Sequence, residues 1–251
     1  MVFDLTGKVA LVTGASRGLG AAAARRLAAH GAAVAVNYVA SHDLAQSVVD
    51  AINSSGGRAK KYCCDITKKE LVDAMVKEIV SDLGPVDVVV NNATGPQPFV
   101  RIEDQTWEDH LGQLRFFIMA PLYILQAVVP SMKERRRGRV INIGSECAEL
   151  GNAEFGHYCA AKAAMLGLTR SWANELGPYD ICVNLIAPGW IPVERHGDVP
   201  QEASNAYTAG MALNRQGVPD DIGNAVVYLA SDEANLITGQ KLAVNGGNTF
   251  V

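Results

Sequence analysis

Short apolar runs alternate with longer amphipathic stretches along the whole chain. Because most runs are unbroken, they predict strands that are covered on both faces. The predicted strands are residues 9–13, 33–37, 59–64, 86–91, 139–143, 181–186 and 241–244. The predicted helices are residues 18–30, 41–54, 68–82, 103–136, 154–175 and 220–231. This alternation predicts a doubly wound α/β fold of about seven parallel strands with helices on both faces.

No linker, repeat or low-complexity segment interrupts the pattern, so we expect residues 1–251 to form a single domain. The least regular stretch is residues 188–203, which contains three prolines. A long irregular segment after a strand is typical of a lid or a binding loop.

The composition excludes several classes of protein. A net charge of −4 gives no sign of a nucleic-acid partner, and we interpret the basic run at residues 133–139 as a solvated helix end. No apolar run approaches 18 residues, so we expect no membrane span. The five cysteines form no CxxC pair or metal-ligand cluster, so we expect no metal site. An odd cysteine count without a secretion signal is typical of the cytoplasm.

A glycine-rich turn follows the first strand and opens an alanine-rich helix. Its glycines let the backbone approach a pyrophosphate, and the helix start offers free N–H groups and partial positive charge. The spacing, G-x-x-x-G-x-G, differs from the common dinucleotide fingerprint, so a helix start with purely structural glycines is the alternative. The predicted cofactor contacts in the turn are Gly14, Ser16, Arg17, Gly18, Leu19 and Gly20.

The end of the second strand favours NADP(H) over NAD(H). A site for NAD(H) usually has a carboxylate there to accept from the ribose 2′-OH. Here Asn37 and Tyr38 follow instead, and the first carboxylate is Asp43. Arg17 can meet a 2′-phosphate, and Ser16 and Asn37 can add hydrogen bonds to it.

Candidate acid–base chemistry lies in the second half of the chain. Tyr158 and Lys162 are four residues apart on a predicted helix and therefore share one face. An ammonium near a phenol lowers the phenol pKa, so such a tyrosine can exchange a proton with an alcohol. Ser145 follows a strand at the carboxyl end, where ligands gather in open α/β sheets.

The glycine turn, Asn91-Asn92-Ala93, Ser145, Tyr158-x-x-x-Lys162 and Pro188-Gly189 occur together and in this order. This combination resembles the short-chain dehydrogenase/reductase family over essentially the whole chain. The resemblance implies a Rossmann fold and NAD(P)-dependent interconversion of a carbonyl and an alcohol. Within the family, the chain is most similar to 3-oxoacyl-acyl carrier protein reductases and related sugar dehydrogenases.

The resemblance also implies a role for each matching residue. Tyr158 would be the acid in reduction and the base in oxidation. Lys162 would bind the nicotinamide ribose and depress the Tyr158 pKa, and Ser145 would bind the substrate oxygen. The remaining cofactor contacts would come from Asp65, Ile66, Asn91, Ala93, Pro188, Gly189 and Ile191.

Three positions depart from the family pattern. A fourth catalytic residue, Asn, is common on the helix after Trp107. Counting forward from that tryptophan reaches Leu114, and counting back from Pro121 reaches Phe117. Thr94 stands where Gly is usual, and Val193 stands where a Thr often binds the carboxamide.

Several functional alternatives follow from the sequence. Glu146, Glu149 and Glu154 fall in a segment that lines the family's pocket, and we expect most of them to be solvated. If two or more faced the pocket, a sugar or polyol substrate would be favoured over an acyl chain.

Acyl carrier protein is a candidate partner, with arginines 135–137 as one basic patch. A non-catalytic dinucleotide sensor is the alternative from another class, and we expect a homo-oligomer, a dimer or tetramer.

Overall fold

Seven parallel strands form one sheet in a computed structural model that describes residues 2–250. The strand order is β3-β2-β1-β4-β5-β6-β7. The strands are β1 Val9–Val12, β2 Ala33–Tyr38, β3 Arg58–Cys63, β4 Val88–Asn91, β5 Gly138–Ile143, β6 Ile181–Pro188 and β7 Lys241–Val244. The predicted fold class is therefore confirmed, and each strand end lies within two residues of its predicted position.

Nine helices connect and cover the strands within residues 2–250. They are α1 Gly18–Ala29, α2 His42–Ser54, α3 Lys69–Asp82, α4 Trp107–Leu114, α5 Ala120–Arg135, α6 Cys147–Leu150, α7 Gly156–Leu176, α8 Gln201–Ala209 and α9 Pro219–Ala230. Helix α8 overlaps the stretch that the sequence predicts to be irregular. Its residues are mostly polar and none of its side chains is buried, so it lacks the apolar stripe that reveals a helix.

The long helix predicted at residues 103–136 begins at Trp107. Thr106 caps it, because the Thr106 hydroxyl accepts from the Asp109 N–H and the Asp109 carboxylate accepts from the Thr106 N–H. Between α4 and α5 the helix widens into a π-helical turn, Arg115–Met119. Such turns insert a residue into a helix and occur frequently at functional sites.

The helical stretch Trp107–Arg135 is long and apolar enough to cross a bilayer by length and composition. Polar residues interrupt the apolar positions of this stretch, so the sequence pattern does not reveal its length as an apolar helix. In the fold, the stretch contributes buried side chains, including Ala120, Ile124 and Val128, to the core on one face of the sheet. It therefore belongs to the layer of helices that covers the sheet.

Two apolar clusters hold the layers together. In β1, Ala10 and Val12 face the cluster that contains α1, α2 and α9, whereas Val9 and Leu11 face the cluster that contains α3 and α5. Successive strand residues point to opposite faces, so each covered strand supplies both clusters.

The strand order reverses at β1, which pairs with both β2 and β4. Helices leave the sheet in opposite directions from this point, and the carboxyl ends of β1 and β4 border a crevice where α/β proteins bind ligands. The predicted glycine turn follows β1 directly, at this position.

The basic run lies at the opposite, amino end of the strands. Arg135 and Arg137 both contact Asp87 Oδ1, at 2.5 and 2.9 Å, and only 3% of the Asp87 side chain is exposed. Asp87 Oδ2 also accepts from the Val9 N–H. Arg135 and Arg137 thus hold the start of the sheet, and the suggestion that arginines 135–137 form a patch for a carrier protein stays a prediction.

Candidate active site

Two glycines of the turn, Gly14 and Gly20, occupy positions where a side chain would not fit. Gly14 has φ of +62°, and an added Cβ would lie 2.8 Å from Ala93 Cα. At Gly20 an added Cβ would lie 2.5 Å from the Gly14 carbonyl oxygen. Helix α1 begins next to this turn at Gly18, with no acidic residue in its first turn and no side chain capping its N–H groups. These features fit a pyrophosphate held by backbone N–H groups.

Asn92 fastens this turn, which the sequence analysis did not foresee. Its Nδ2 donates to the carbonyls of Thr13 and Gly14 at 2.9 and 3.1 Å. The Thr13 hydroxyl accepts in return from the N–H groups of Asn92 and Ala93. The carboxyl ends of β1 and β4 are thus joined by side chains. An asparagine directly after a predicted buried strand was the available signal.

The other predicted turn residues are placed at the surface of the crevice. Arg17 is exposed, and Ser16, Gly18 and Leu19 are half-buried. Their accessibility allows contact with a ligand, as predicted.

Asn37 does not fit its predicted contact with a 2′-phosphate. It is 2% exposed, its Oδ1 accepts from the Gly14 N–H at 3.2 Å, and its Nδ2 donates to the Cys64 carbonyl at 3.1 Å. Both ends of the amide are therefore committed to the fold. The prediction fails because the alternation of the strand points Asn37 inward.

The residues around Tyr38 offer polar groups that the sequence analysis overlooked. The Tyr38 hydroxyl lies 2.8 Å from His42 Nδ1, and Lys61 Nζ lies 2.7 Å from His42 Nε2. His42 is exposed at the start of α2, and Lys61 comes from the neighbouring strand β3. A potential cation and a basic ring thus lie where an NAD(H) site usually has a carboxylate.

Two further predicted contacts have structural partners. Asp65 Oδ1 accepts from the N–H and hydroxyl of Thr67, at 3.0 and 2.7 Å, so it shapes the turn after β3. The Asn91 side chain donates to Asn142 Oδ1 at 2.8 Å and is 5% exposed. Ile66 is also buried. Asn91 is therefore placed to contact a ligand with its backbone and not with its amide.

Ser145, Tyr158 and Lys162 are brought together beyond the end of β5. Tyr158 and Lys162 lie one turn apart on α7 and are 7% and 5% exposed. The Lys162 ammonium donates to the Ile143 carbonyl at 2.6 Å, at the last residue of β5. Ser145 is half-buried, and its hydroxyl accepts from the Cys147 N–H at 3.2 Å.

The electrostatics of this group differ from the expectation. Burial raises the Tyr158 pKa, and a hydrogen bond with Ser145 lowers it by a smaller amount. Burial also lowers the Lys162 pKa, to about 7, with a further contribution from Arg195. The net direction of the Tyr158 pKa is therefore opposite to the one expected, because burial outweighs the causes that lower it.

The segment after β6 is fastened to the same place. The Glu146 N–H donates to the Pro188 carbonyl at 3.0 Å, and the Gly189 N–H donates to the Val244 carbonyl at 3.2 Å. Ile191 is 6% exposed. The predicted nicotinamide segment thus lies directly beside the residue that follows Ser145.

A partly buried chain of hydrogen bonds joins this segment to helix α8. The Tyr207 hydroxyl donates to Glu146 Oε1 at 2.6 Å and accepts from the Trp190 N–H at 2.7 Å. An added Cβ on Gly189 would lie 2.5 Å from that hydroxyl. Helix α8 therefore covers the predicted nicotinamide segment, as expected for a lid.

The three acidic residues after Ser145 differ in environment. Glu146 is only 3% exposed, so the expectation of a solvated side chain is wrong there. Glu149 pairs with Lys241 at 2.5 Å, and Glu154 lies at the surface, 3.6 Å from Arg101. Only Glu146 is buried near the site, and one of its oxygens is already bound by Tyr207.

The residues that depart from the family pattern lie in different surroundings. Phe117 lies in the π-helical turn with its ring 3.7 Å from Lys162 Nζ, whereas Leu114 packs at the edge of the same cluster. Of the two candidate positions for the Asn, Phe117 is the one whose ring lies against Lys162. Val193 faces Gly18, and Thr94 is exposed.

His157 is buried beside Tyr158 in sequence but turns away from it. Its ring lies 6.2 Å from the His110 ring, and burial lowers its pKa. Within residues 2–250, no group of three or more His, Cys, Asp or Glu side chains is arranged to hold a metal ion.

Comparison with known proteins places the chain in a family. A family model described as Enoyl-(Acyl carrier protein) reductase matches residues 14–249. The 3-oxoacyl-[acyl-carrier-protein] reductase FabG of Staphylococcus epidermidis is 39% identical over 242 residues, which are 96% of this chain and 98% of that protein.

Solved structures give the same result. A short-chain dehydrogenase/reductase from Serratia marcescens is 35% identical with a TM-score of 0.91, covering 98% of this chain and 99% of the other. A blue fluorescent protein from a metagenomic library, in complex with NADPH, is 37% identical with a TM-score of 0.90, covering 98% and 100%. The chain belongs to the short-chain dehydrogenase/reductase family, and it is an NAD(P)-dependent oxidoreductase of carbonyl and CH–OH groups.

Proposed function

We propose that the protein reduces the ketone of a 3-oxoacyl thioester to a secondary alcohol with NADPH, and catalyses the reverse reaction. The observation that carries this proposal is the grouping of Ser145, Tyr158 and Lys162 at the end of β5, beside the segment that begins at Pro188. The identity to FabG proteins supports the thioester as the substrate class.

The residues suit proton donation to a carbonyl. When bound, NADPH supplies the hydride to the carbonyl carbon. Ser145 binds the carbonyl oxygen, and Tyr158 gives that oxygen its phenolic proton. Since burial raises the Tyr158 pKa, the phenol remains protonated at neutral pH and is available as the acid. Lys162, with a pKa of about 7, can return a proton to the phenolate.

NADP(H) is the cofactor that the crevice fits best. The turn from Gly14 to Gly20 would hold the pyrophosphate, and no carboxylate follows β2 to repel a 2′-phosphate. Arg17, His42 and Lys61 would supply positive charge and hydrogen bonds for that phosphate.

The test is oxidation of NADPH by purified protein with a short 3-oxoacyl thioester, followed by absorbance. We expect turnover that falls by at least about 1,000-fold in Tyr158→Phe, since that variant lacks the proton donor. Comparing thioesters of acyl carrier protein and of coenzyme A tests whether the carrier protein is a partner. NADPH binding without turnover of any 3-oxoacyl thioester would contradict the proposed reaction.

The alternatives have less support. A polyol substrate would be favoured by several carboxylates in the pocket, but only Glu146 is buried there and it is bound by Tyr207. A non-catalytic sensor would have no use for Tyr158 as an acid.

A homo-oligomer is a further part of the proposal. Trp107 and Leu122 are 68% and 38% exposed on one long helix, and light scattering of the purified protein tests it.

A further inference from the structure

The ammonium of Lys162 has an unusual set of neighbours. Its one protein hydrogen bond goes to the Ile143 carbonyl at 2.6 Å, and within residues 2–250 it forms no ion pair. The face of Phe117 also lies against it, with the ring centroid 3.7 Å from Nζ. The Tyr158 ring lies further away, at 5.7 Å. A buried cation with one acceptor is expensive unless something else stabilises it.

The fold places Phe117 at this point with little freedom. The π-helical turn Arg115–Met119 directs the ring inward, where it is 1% exposed. The Phe117 and Tyr158 rings meet edge to face, with centroids 5.5 Å apart and planes at 82°. Such a pair is favourable in itself, so the contact fixes both rings. The electron-rich face of Phe117 is then directed at the ammonium.

We propose that Phe117 is a positioning residue of the active site, whose ring face holds the Lys162 ammonium next to Tyr158 and stabilises its charge. A polar side chain at this position would bind Lys162 through hydrogen bonds instead. This inference rests on the proposed reaction for its catalytic meaning, but the contact itself is independent of it.

The contact has a consequence for the affinity of Lys162 for its proton. Burial lowers the Lys162 pKa, whereas the ring quadrupole favours the charged form and so opposes that change. The titratable and charged neighbours are Tyr158 on α7, Cys147 on α6 and Arg195 after β6. A substitution at residue 117 removes none of these three groups, and Phe117→Tyr also keeps the edge-to-face contact with Tyr158, so comparing an aliphatic variant with Phe117→Tyr isolates the effect of the ring.

The test is the titration of Lys162 in protein with ¹³C-labelled lysine and no added cofactor, followed by NMR and assigned with Lys162→Arg. In Phe117→Leu we expect the midpoint of the titration to fall by about one pH unit. This tenfold loss of proton affinity equals about 1.4 kcal/mol and lies within the range for desolvated cation–π pairs. In Phe117→Tyr, which keeps the ring face, we expect the midpoint to stay within about 0.3 pH units of the wild type.

Turnover gives a second readout. The limb of the kcat pH profile that reports Lys162 should move with the NMR midpoint in Phe117→Leu and return in Phe117→Tyr. If Phe117→Leu does not fold, Phe117→Met serves as the apolar replacement. An unchanged or raised midpoint in a folded Leu or Met variant would overturn the inference, because the ring would then contribute nothing to the stability of the charged form. Absence of turnover with a lowered midpoint would contradict the proposed function and leave the role of Phe117 supported.

Discussion

Replacing Tyr207 with Phe tests the attachment of helix α8 to the active site. The substitution removes the bond from the Tyr207 hydroxyl to Glu146 at 2.6 Å and the bond that this hydroxyl accepts from the Trp190 N–H at 2.7 Å. Glu146 is buried, and its Oε2 has no hydrogen-bond partner within residues 2–250, so the variant leaves the whole side chain unsatisfied.

The magnitude follows from the two bonds. A hydrogen bond to a carboxylate contributes about 1.5–3 kcal/mol, and a neutral one contributes about 0.5–1.5 kcal/mol. We therefore expect Tyr207→Phe to lower the free energy of unfolding by roughly 2–4 kcal/mol. For a chain of this size, each kcal/mol corresponds to about 2–4 °C in Tm.

The assay is denaturant unfolding of Tyr207→Phe beside Tyr228→Phe, a matched control whose hydroxyl makes no hydrogen bond within residues 2–250. The double variant Glu146→Leu/Tyr207→Phe should recover part of the loss, because it removes the unpaired carboxylate and leaves only the Trp190 N–H without its former acceptor. The KM for NADPH should rise in Tyr207→Phe, because the Trp190 N–H loses a hydrogen bond that orders the predicted nicotinamide segment. The reasoning is refuted if Tyr207→Phe unfolds within about 0.5 kcal/mol of the control, the range of neutral substitutions.

Four further variants test other parts of the structure. Asn92→Ala removes two hydrogen bonds that fasten the glycine turn, so the Kd of NADPH measured by fluorescence should rise by about tenfold or more; an unchanged Kd would count against this anchor. His42→Ala and Lys61→Ala should each raise the Kd of NADPH about fivefold and leave that of NADH within about twofold; equal loss for both cofactors would exclude a 2′-phosphate contact. Asp87→Ala should cost about 3–5 kcal/mol in unfolding with kcat per folded molecule unchanged, because it leaves Arg135 and Arg137 unpaired far from Tyr158; a lower kcat would contradict that separation.

The strands and the main helices could be predicted because burial on two faces leaves a strong pattern. Helix α8 could not, since its residues are mostly polar and carry no apolar stripe. The glycine turn was predictable because its residue type is dictated by space: a Cβ at Gly14 or Gly20 would overlap the backbone. Asn37 was assigned to a phosphate by its position at a strand end, but its amide is used by the Gly14 N–H and the Cys64 carbonyl.

The pKa values show the same limit of sequence reasoning. The i, i+4 spacing of Tyr158 and Lys162 correctly predicts a shared helix face. It does not reveal how deeply both are buried, and desolvation dominates both pKa values. The spacing of two residues along a helix determines that their side chains point the same way. How deeply they are buried depends on which other elements pack against that face of the helix. Here that element includes the π-helical turn, whose presence the apolar pattern conceals.

The positions that fit and depart from the family pattern are distributed unevenly across the crevice. At the glycine turn, the surrounding backbone leaves no space for a side chain at Gly14 or Gly20, so residue choice is restricted there. Beyond β5, the neighbours of the reacting group are side chains from α6, α8 and the π-helical turn. There Glu146 and Phe117 are both buried and both differ from expectation. Glu146 contacts helix α8, and Phe117 contacts Lys162. Substitutions at these two residues should therefore change substrate preference more than substitutions in the glycine turn.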